Sequence, residues 1–360
     1  MLLTSDQIIG FSIAFLIALC STPFIIKFAN KFGFVDLPNY RKVHTKEKPL
    51  IGGIAIIIGA TAGLFYLQLS YSFMLPVMVG GAVILVVGLL DDKYDLSPKW
   101  KFAGQAVAAS IVVFSGIKID FFIIPFLGER IELGIFSYII AILWIVAITN
   151  AINFMDGLDG LAAGISVISL LSILMLSINN GNMFVMSFTL VLIGSTLGFL
   201  PFNFYPSKIF LGDTGALFLG YCISVISILG LYKSVTMFSL GLPIIALAVP
   251  IFDTLFAILR RFLNKQKISS PDKSHIHHRL LAMGFSHRNT VLIIYAIGIV
   301  FGLSAVFFTR ATLWLSFIVL VVLMVIFIIL AELIGLIGQH KPILKAIDKL
   351  TGRKTNFSKE

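Results

Sequence analysis

Continuous apolar runs of about 20 residues are the feature that most restricts how this chain can fold. Such a run crosses a membrane as a helix, whereas the strands of a membrane barrel alternate in hydrophobicity. Hydrophobic residues make up 58% of the 360, and only 12% are charged. We therefore predict an all-α, polytopic membrane helix bundle with about eleven transmembrane helices, at residues 7–29, 50–69, 72–90, 102–117, 135–149, 161–178, 184–202, 209–231, 236–259, 290–309 and 312–335.

The basic residues collect on one side of this predicted bundle. When successive connections are assigned alternately to the two sides, one side carries all but four of the 27 Lys and Arg residues, the exceptions being Lys118, Arg130, Lys233 and Arg310. Basic loops stay in the cytoplasm, which places the N-terminus outside and the C-terminus inside. The net charge of +10 then reflects topology and attraction to anionic membrane lipids, and no nucleic-acid partner is predicted.

Short connections leave little room for a separate soluble domain. We predict a single transmembrane catalytic domain at 1–335, with its active site on the cytoplasmic face, and a basic cytoplasmic tail at 336–360. The first apolar run lacks a preceding basic segment and is interpreted as a retained span. Cys20 and Cys222 lie inside apolar runs, which favours small core residues over a disulfide. The outer segment 118–133 has alternating ends and predicts a short hairpin.

Two neighbouring acids end the third apolar run, in "GLLDDKYDLSPKWKF" (88–102). Asp91 and Asp92 repel each other unless something cationic holds them. A further acid, Asp213 in "FNFYPSKIFLGDTGALFLGY" (202–221), falls where the eighth span begins. Taken alone, Asp213 is also explained by stabilisation of a helix start, worth about 1 kcal/mol. The clustering of acids on the predicted cytoplasmic face favours a functional reading.

The segment "NAINFMDGLDGLAAG" (150–164) carries Asn150, Asn153, Asp156 and Asp159 at intervals of three. Its glycines permit a break, with a new span beginning at Leu161. Such a break would gather polar side chains and backbone N–H groups around one point, which suits a phosphate or sugar. A capped turn between helices remains an equal alternative.

Asp253 lies inside a predicted span, after Pro250, where buried charge is costly unless paired. We interpret it as a structural residue at a helix break that helps indirectly to shape the site.

Four of the six histidines lie in the connection 260–289, in "SSPDKSHIHHRLLAMGFSHR". Metal binding by two of them is one alternative, and contact of a basic loop with anionic lipid is another. The combination with Arg279 favours a ligand with several negative charges, because Arg binds phosphate through two hydrogen bonds. Most of the basic residues of loop 30–49 need no explanation beyond topology.

Carboxylates beside open space suit Mg²⁺ or Mn²⁺, which keep water molecules and share the phosphate oxygens of a substrate. The acidic pair is therefore explained if a divalent cation and a diphosphate lie between the acidic motifs and the basic loop.

The four motifs quoted above, with "HIHHRLL" at their end, resemble those of the polyprenyl-phosphate N-acetylhexosamine-1-phosphate transferases. The resemblance covers nearly the whole chain and keeps the order of the motifs. Within that superfamily the chain is similar to the bacterial undecaprenyl-phosphate N-acetylglucosaminyl 1-phosphate transferases, which begin teichoic acid, O-antigen or enterobacterial common antigen synthesis. These are multi-pass proteins of the bacterial cell membrane, with a cytoplasmic active site, and often homodimers.

The resemblance implies roles for individual residues. Asp213 matches the magnesium ligand of the family. Asp91 and Asp92 match the catalytic acidic pair beside that metal, and Asp92 is expected to be a second metal ligand. Asp156 and Asp159 match acids that shape the nucleotide-sugar site. Residues expected to bind substrate are Asn150, Asn153, Asn203, Phe210, His275, His277, His278, Arg279 and, on a loose match only, Lys46. Among these, Asn203 and Phe210 fall where the related peptidoglycan enzyme holds and stacks uracil.

The implied reaction transfers N-acetylglucosamine 1-phosphate from UDP-N-acetylglucosamine to undecaprenyl phosphate and releases UMP, with Mg²⁺ or Mn²⁺ as cofactor. The lipid phosphate attacks directly, or Asp91 or Asp92 first forms an aspartyl-phosphate; direct attack is favoured because a phosphate monoester is largely a dianion at pH 7. Sister transferases with another UDP-N-acetylhexosamine or the UDP-N-acetylmuramoyl-pentapeptide are the nearest alternative. An ion-coupled transporter is more remote, because it requires acids at the membrane midplane.

Overall fold

The structure is a computed structural model that describes residues 3–36, 47–69, 71–123, 129–231, 241–266, 274–309 and 311–334. The described part is built almost entirely of helices, which confirms the predicted all-α fold class. The helices are α1 (Ser5–Phe32), α2 (Gly53–Leu67), α3 (Met74–Tyr94), α4 (Pro98–Phe114), α5 (Phe136–Phe154), α6 (Leu161–Asn180), α7 (Met183–Asn203), α8 (Gly212–Leu231), α9 (Gly241–Ala246), α10 (Ala248–Leu263), α11 (Ile276–Ala282), α12 (His287–Phe308) and α13 (Leu313–Ile334).

Seven helices in the described ranges are long and apolar enough to cross a membrane, by length and composition: α1, α3, α5, α6, α7, α8 and α12. Two further apolar stretches, Gly53–Leu67 and Trp314–Ile329, are shorter. The chain is therefore a membrane protein with several spanning helices. The count of eleven spans stays a prediction.

Three of these helices form the interior of the bundle. In α6, α7 and α8, 83% of the most apolar stretch is buried, against 28–39% in α1, α3, α5 and α12. Polar groups between helices are hydrogen-bonded, as a low-dielectric interior requires. The Tyr221 hydroxyl donates to the Val77 carbonyl at 2.8 Å, and the Trp144 indole donates to Ser227 at 2.9 Å. The outer helices thus present their apolar faces outward, while α6–α8 hold the centre.

The span predicted at 236–259 differs from the structure. Residues 232–240 lie outside the described ranges, and the rest forms two helices, α9 and α10, which meet at Leu247. Pro250 does not break the chain where it stands, because proline is tolerated in the first turn of a helix, and here that helix is α10. The predicted span at 102–117 instead begins at Pro98, since proline is also favoured at the first helical position.

Two short strand pairs complete the described fold. Strand β3 (Phe121–Ile123) pairs antiparallel with β4 (Arg130–Glu132), which confirms the predicted hairpin. Strand β1 (Val35–Asp36) pairs with β2 (Lys48–Pro49), which was not predicted. The backbone of β2 also accepts from Phe210, whose N–H donates to the Pro49 carbonyl at 2.8 Å. Strand β2 is thereby fixed against the connection between α7 and α8.

Candidate active site

Two acidic motifs and one lysine meet at one end of the bundle. Asp91 in the last turn of α3 forms an ion pair with the ammonium of Lys101 in the first turns of α4. The same ammonium lies 3.3 Å from Oδ1 of Asp213, in the first turn of α8. The Asp91 side chain is 1% exposed and that of Asp213 is 30% exposed. Lys101 therefore bridges a buried acid and one that remains open to a ligand.

Lys101 was not predicted as a site residue. The signal that could have found it is its place in the quoted motif with Asp91 and Asp92, at the start of an apolar helix. A cation there, opposite paired acids, is favourably placed for their neutralisation.

The second acid of the pair has a different set of contacts. Oδ1 of Asp92 accepts from the Asp213 backbone N–H at 2.8 Å. Oδ2 of Asp92 accepts from the Thr214 N–H at 3.0 Å and from its hydroxyl at 2.6 Å. Asp92 thus caps α8 and holds Asp213 in place, as acids do at helix starts. Because a carboxylate has about four lone-pair sites, one remains on Oδ1, and a role of Asp92 in metal binding stays a prediction.

Close packing of α3 on the start of α8 depends on Gly88. A Cβ added there would lie 2.5 Å from Cα of Thr214 and 2.8 Å from its nitrogen. Gly81, on the same helix, has room for a Cβ, with its nearest neighbour 3.6 Å away in the Tyr221 ring. The absence of a side chain at Gly88 is therefore what lets Asp91 and Asp92 reach α8.

We expect Gly88→Ala to destabilise the protein by about 1–3 kcal/mol and to lower activity, because α3 must move away from α8. Gly81→Ala is the matched control and should change stability by no more than about 1 kcal/mol. Thermal unfolding of both variants in the same detergent, with an assay of the reaction that the motifs imply, provides the comparison. Equal unfolding temperatures for the two variants would contradict the close contact.

The segment between α5 and α6 contributes to the same cluster. As predicted, α5 ends before the acidic residues and α6 begins at Leu161. The Asn153 amide donates to Oδ1 of Asp213, which joins α5 to α8. Asn150 instead forms a side-chain pair with Gln105 of α4, its amide nitrogen donating at 2.5 Å. The structure therefore brings Asn153 into the acidic cluster and gives Asn150 a contact between helices.

The two acids of this segment differ in their surroundings. Burial, and then the negative charges of Asp213, Asp92 and Asp159, raise the pKa of Asp156 well above its ordinary value. Asp159 is engaged with the next turn, since its Oδ2 accepts from the Ser207 N–H at 2.9 Å. Burial and neighbouring charge thus favour the protonated form of Asp156. Asp159 instead fixes the following turn.

A lysine on β2 completes that arrangement. The ammonium of Lys48 lies 2.8 Å from the Ser207 hydroxyl, 3.4 Å from Oδ2 of Asp159 and 4.8 Å from the centre of the Phe210 ring. Lys48 was attributed to topology alone in the sequence. The predicted Lys46 lies outside the described residues.

Asn203 and Phe210, the two residues predicted to hold uracil, lie at the two ends of the connection between α7 and α8. Asn203 is buried, and its amide nitrogen donates to the Ile209 carbonyl at 3.0 Å. Its Oδ1 has no hydrogen-bond partner among the described residues. The structure thus brings Asn203 and Phe210 together, with a buried acceptor still to be satisfied.

The histidine segment forms α11 and packs on the segment after α5. His277 is 2% exposed, and a Cβ added at Gly157 would lie 2.2 Å from its Nε2. Burial, and then the neighbouring His278, lower the pKa of His277 to about 3, so the ring is neutral at pH 7. The rings of His277 and His278 lie 4.2 Å apart between centres, and the Arg279 guanidinium donates to Ser274 at 3.4 Å. His277, His278 and Arg279 therefore lie on one short helix against the acidic segment, with His275 at its N-cap.

The donor set fits a hard divalent cation that keeps water. Asp91 and Asp213 interact directly, and Asp213 remains partly exposed. Within the described ranges, no three His, Cys, Asp or Glu side chains enclose a metal ion. Oxygen donors in small number, with open space, match Mg²⁺, which is bound by one or two carboxylates plus substrate phosphates. The histidines form no such cage in the described part of the chain.

Comparison with known proteins identifies the family of this chain. The model of glycosyl transferase family 4 matches residues 74–231, which include the three acidic motifs. A protein of Bacillus subtilis named "Probable undecaprenyl-phosphate N-acetylglucosaminyl 1-phosphate transferase" is 52% identical over 96% of this chain and 97% of its own. The chain belongs to glycosyl transferase family 4. The resemblance drawn from the motifs is thereby confirmed.

Two further relatives share less of their sequence with this chain. A decaprenyl-phosphate N-acetylglucosaminephosphotransferase of Mycolicibacterium smegmatis is 36% identical over 82% of this chain and 80% of its own. An undecaprenyl-phosphate alpha-N-acetylglucosaminyl 1-phosphate transferase of Yersinia pestis is 28% identical over 74% of this chain and 75% of its own. The histidine segment lies beyond the matched region 74–231, so the contacts of α11 add to what the family model covers.

Proposed function

We propose that this family member transfers N-acetylglucosamine 1-phosphate from UDP-N-acetylglucosamine to undecaprenyl phosphate, with release of UMP. The reaction is the first membrane step in the synthesis of a surface polysaccharide such as teichoic acid or O-antigen. The names of the Bacillus subtilis and mycobacterial relatives support the sugar and a polyprenyl phosphate acceptor. A sister reaction with another UDP-N-acetylhexosamine or the UDP-N-acetylmuramoyl-pentapeptide is the alternative.

The observation that carries the proposal is the cluster formed by Asp91, Lys101, Asn153 and Asp213. Phosphoryl transfer depends mainly on positioning and on charge stabilisation, and it needs few groups that react covalently. The cluster combines carboxylates for a cation with an ammonium and an amide fixed by helix ends. Asp156, on the segment after α5, and His277, on α11, are proposed to give a diphosphate a surface with both donors and acceptors.

In this proposal Mg²⁺, or Mn²⁺ in its place, is held by Asp213, with Asp92 contributing through its remaining lone pair. When bound, the cation offsets charge on the diphosphate. Asp91 serves as the partner of Lys101 and sets the position of the ammonium beside Asp213. Lys101 also reduces repulsion between the two acids when substrate adds further negative charge.

The donor substrate is proposed to lie across the connection between α7 and α8, the segment after α5, and the start of α11. Phe210 stacks on uracil, and Asn203 offers its unpartnered Oδ1 to the base. Lys48 and Asp159 fix the turn that carries Phe210. The sugar and diphosphate contact residues at the end of α5 and after it, and residues at the start of α11. These are Asn153, Asp156, His275, His277, His278 and Arg279. Asn150 supports this region through α4, and Lys46 stays a prediction.

The chemical step is proposed as direct attack. An oxygen of the lipid phosphate, largely a dianion at pH 7, forms a bond to the β-phosphorus, and the bond to the oxygen shared with the α-phosphorus breaks. The covalent route needs a free carboxylate as nucleophile. The Asp91 carboxylate is held by Lys101 and by the Leu96 N–H at 2.9 Å, and Asp92 accepts three hydrogen bonds. These contacts favour the direct route.

The topology is proposed from the charge distribution. Eleven spans, an outer N-terminus and a cytoplasmic C-terminus place the cluster at the cytoplasmic face of the bacterial cell membrane, where UDP-sugars are available. The single catalytic domain at 1–335 and the basic tail at 336–360 are part of this proposal, as is a homodimer. Membrane lipids are the surrounding partners, and the tail adds attraction to anionic headgroups.

The proposal is tested with purified protein, undecaprenyl phosphate, Mg²⁺ and radiolabelled UDP-N-acetylglucosamine. We expect labelled lipid and released UMP in equal amounts, both lost when the cation is chelated. UDP-N-acetylgalactosamine and the muramoyl-pentapeptide conjugate are run in parallel. Product from either of these alone would move the protein to a sister reaction. Failure with every UDP-sugar, from folded protein, would rule out transferase activity and return attention to ion transport.

A further inference from the structure

Asp253 is a buried acid that the proposed reaction does not use. Its side chain is 2% exposed within α10, and its two oxygens meet two donors from the segment that begins α11. Oδ1 accepts from the Ile276 backbone N–H at 2.8 Å, and Oδ2 lies 2.7 Å from Nδ1 of His275. A carboxylate in such surroundings is costly unless both oxygens are satisfied. Asp253 therefore joins α10 to the start of α11.

These contacts determine where the proton of His275 lies. The backbone N–H of Ile276 can only donate, and an ionised carboxylate can only accept. Nδ1 of His275 must then carry a hydrogen, whether the ring is neutral or protonated. In the neutral ring the lone pair consequently lies on Nε2, the nitrogen through which the ring can accept a hydrogen bond from a ligand.

The ring held in this way lies within the candidate active site. The His275 ring is nearly parallel to the His277 ring, at 5° and 5.9 Å between centres. Phe154, the last residue of α5, lies 5.8 Å from His275 between ring centres. His277 in turn contacts Gly157, next to Asp156. Asp253 is thus connected to the acidic segment through the rings of His275 and His277.

We propose that Asp253 is a positioning residue for the transfer reaction. It fixes His275 as the tautomer with hydrogen on Nδ1, and it sets the parallel pair of His275 and His277 against the segment after α5. This inference rests on the proposed function and deepens it, because it assigns His275 an acceptor at Nε2 in its neutral state. Asp253 itself has no contact with the acidic cluster in this assignment and acts through His275.

Asp253→Asn tests the assignment with minimal change in shape. An asparagine offers one acceptor and one donor where two acceptors are needed, so if its oxygen keeps the bond to Ile276, Nδ1 of His275 has to accept instead. The tautomer is then reversed. We expect kcat to fall about 10- to 100-fold. This is the range of losses when the hydrogen-bond partner of a metal-bound histidine is removed. Asp253→Glu, which keeps the carboxylate, should recover part of this loss.

The neighbouring Thr254 provides a matched control. Its buried hydroxyl oxygen has no hydrogen-bond partner among the described residues, so Thr254→Val should keep full activity. Thermal unfolding of both variants separates a loss of fold from a loss of positioning.

A second measurement compares Asp253→Asn with His275→Asn and with the double variant. If Asp253 acts through His275, the double variant should be no more than about threefold slower than His275→Asn alone, since coupled residues are not additive. Independent, multiplicative losses would overturn the proposal, as would unchanged kcat in Asp253→Asn.

The tautomer is read directly from the ring nitrogens by NMR of protein labelled with ¹⁵N-histidine, where His275→Asn identifies the signal. We expect hydrogen on Nδ1 in the native protein. A native signal with hydrogen on Nε2 alone would overturn the proposal without any activity measurement. If the native protein transfers no sugar phosphate, the proposed function fails, and the NMR result still decides the state of the Asp253–His275 pair.

Discussion

Asp213→Asn is expected to lower kcat/KM for labelled lipid formation by about 10³-fold or more. The change removes the negative charge at the most exposed acid of the cluster while keeping an oxygen that can accept from Asn153. A cation at such a site supplies several kcal/mol of charge stabilisation, and each 1.36 kcal/mol is tenfold in rate. The measurement is initial rate against Mg²⁺ concentration for native and variant protein.

Asp95→Asn is the matched control for this change. Asp95 ends α3 with a left-handed backbone, at φ 51°, which asparagine also tolerates. The substitution removes one acid that is close to the cluster in sequence. It should leave the transfer rate within about twofold of the native rate, as expected for a surface change. Equal losses in both variants would point to general charge effects, and near-native activity of Asp213→Asn would remove Asp213 from the proposed site.

Lys101→Met is expected to have the second largest effect. The ammonium joins Asp91 to Asp213, and methionine keeps most of the stem while removing the charge. We expect kcat to fall about 10²- to 10³-fold, as when one preorganised donor to a transition state is removed. The variant should also unfold at lower temperature, because a buried Asp91 is left without its partner. Transfer rate and thermal unfolding are both measured.

Two further variants separate the causes. Lys99→Met changes an exposed lysine on the same helix and should be silent in both measurements. Adding Asp91→Asn to Lys101→Met should restore the unfolding temperature by removing the unpaired charge, without restoring the rate. Recovery of the rate in that double variant would show that Lys101 serves stability alone.

Local patterns in the sequence were sufficient for much of the architecture. Uninterrupted apolar runs predicted the long helices α1, α6, α7 and α12, and alternating residues predicted the pairing of β3 with β4. The start of α6 at Leu161 followed from the glycine-rich segment before it. Each of these features is decided by residues adjacent in the chain, because helical propensity and turn chemistry act over a few positions.

The contacts within the site required the folded structure. Lys101 reaches Asp213, and Lys48 reaches Phe210, across more than a hundred residues in each case. Asp92 was predicted beside a metal, and its capping of α8 depends on how closely α3 packs against that helix. The break at Leu247 was expected instead at Pro250 because proline position alone does not say on which side a helix resumes. Packing between distant parts of the chain decides such features, and a short stretch of sequence does not show that packing.

The ion pair between Lys101 and Asp91 also bears on how the protein survives changes in its surroundings. Many small domains whose folding free energy comes from a bound metal unfold when that metal is withdrawn. Here the ammonium of Lys101, which is part of the chain itself, already neutralises part of the negative charge of the cluster. Under the proposed function, a cell short of magnesium would therefore keep this protein folded but inactive in its membrane, and transfer would resume without new protein synthesis once the ion returns.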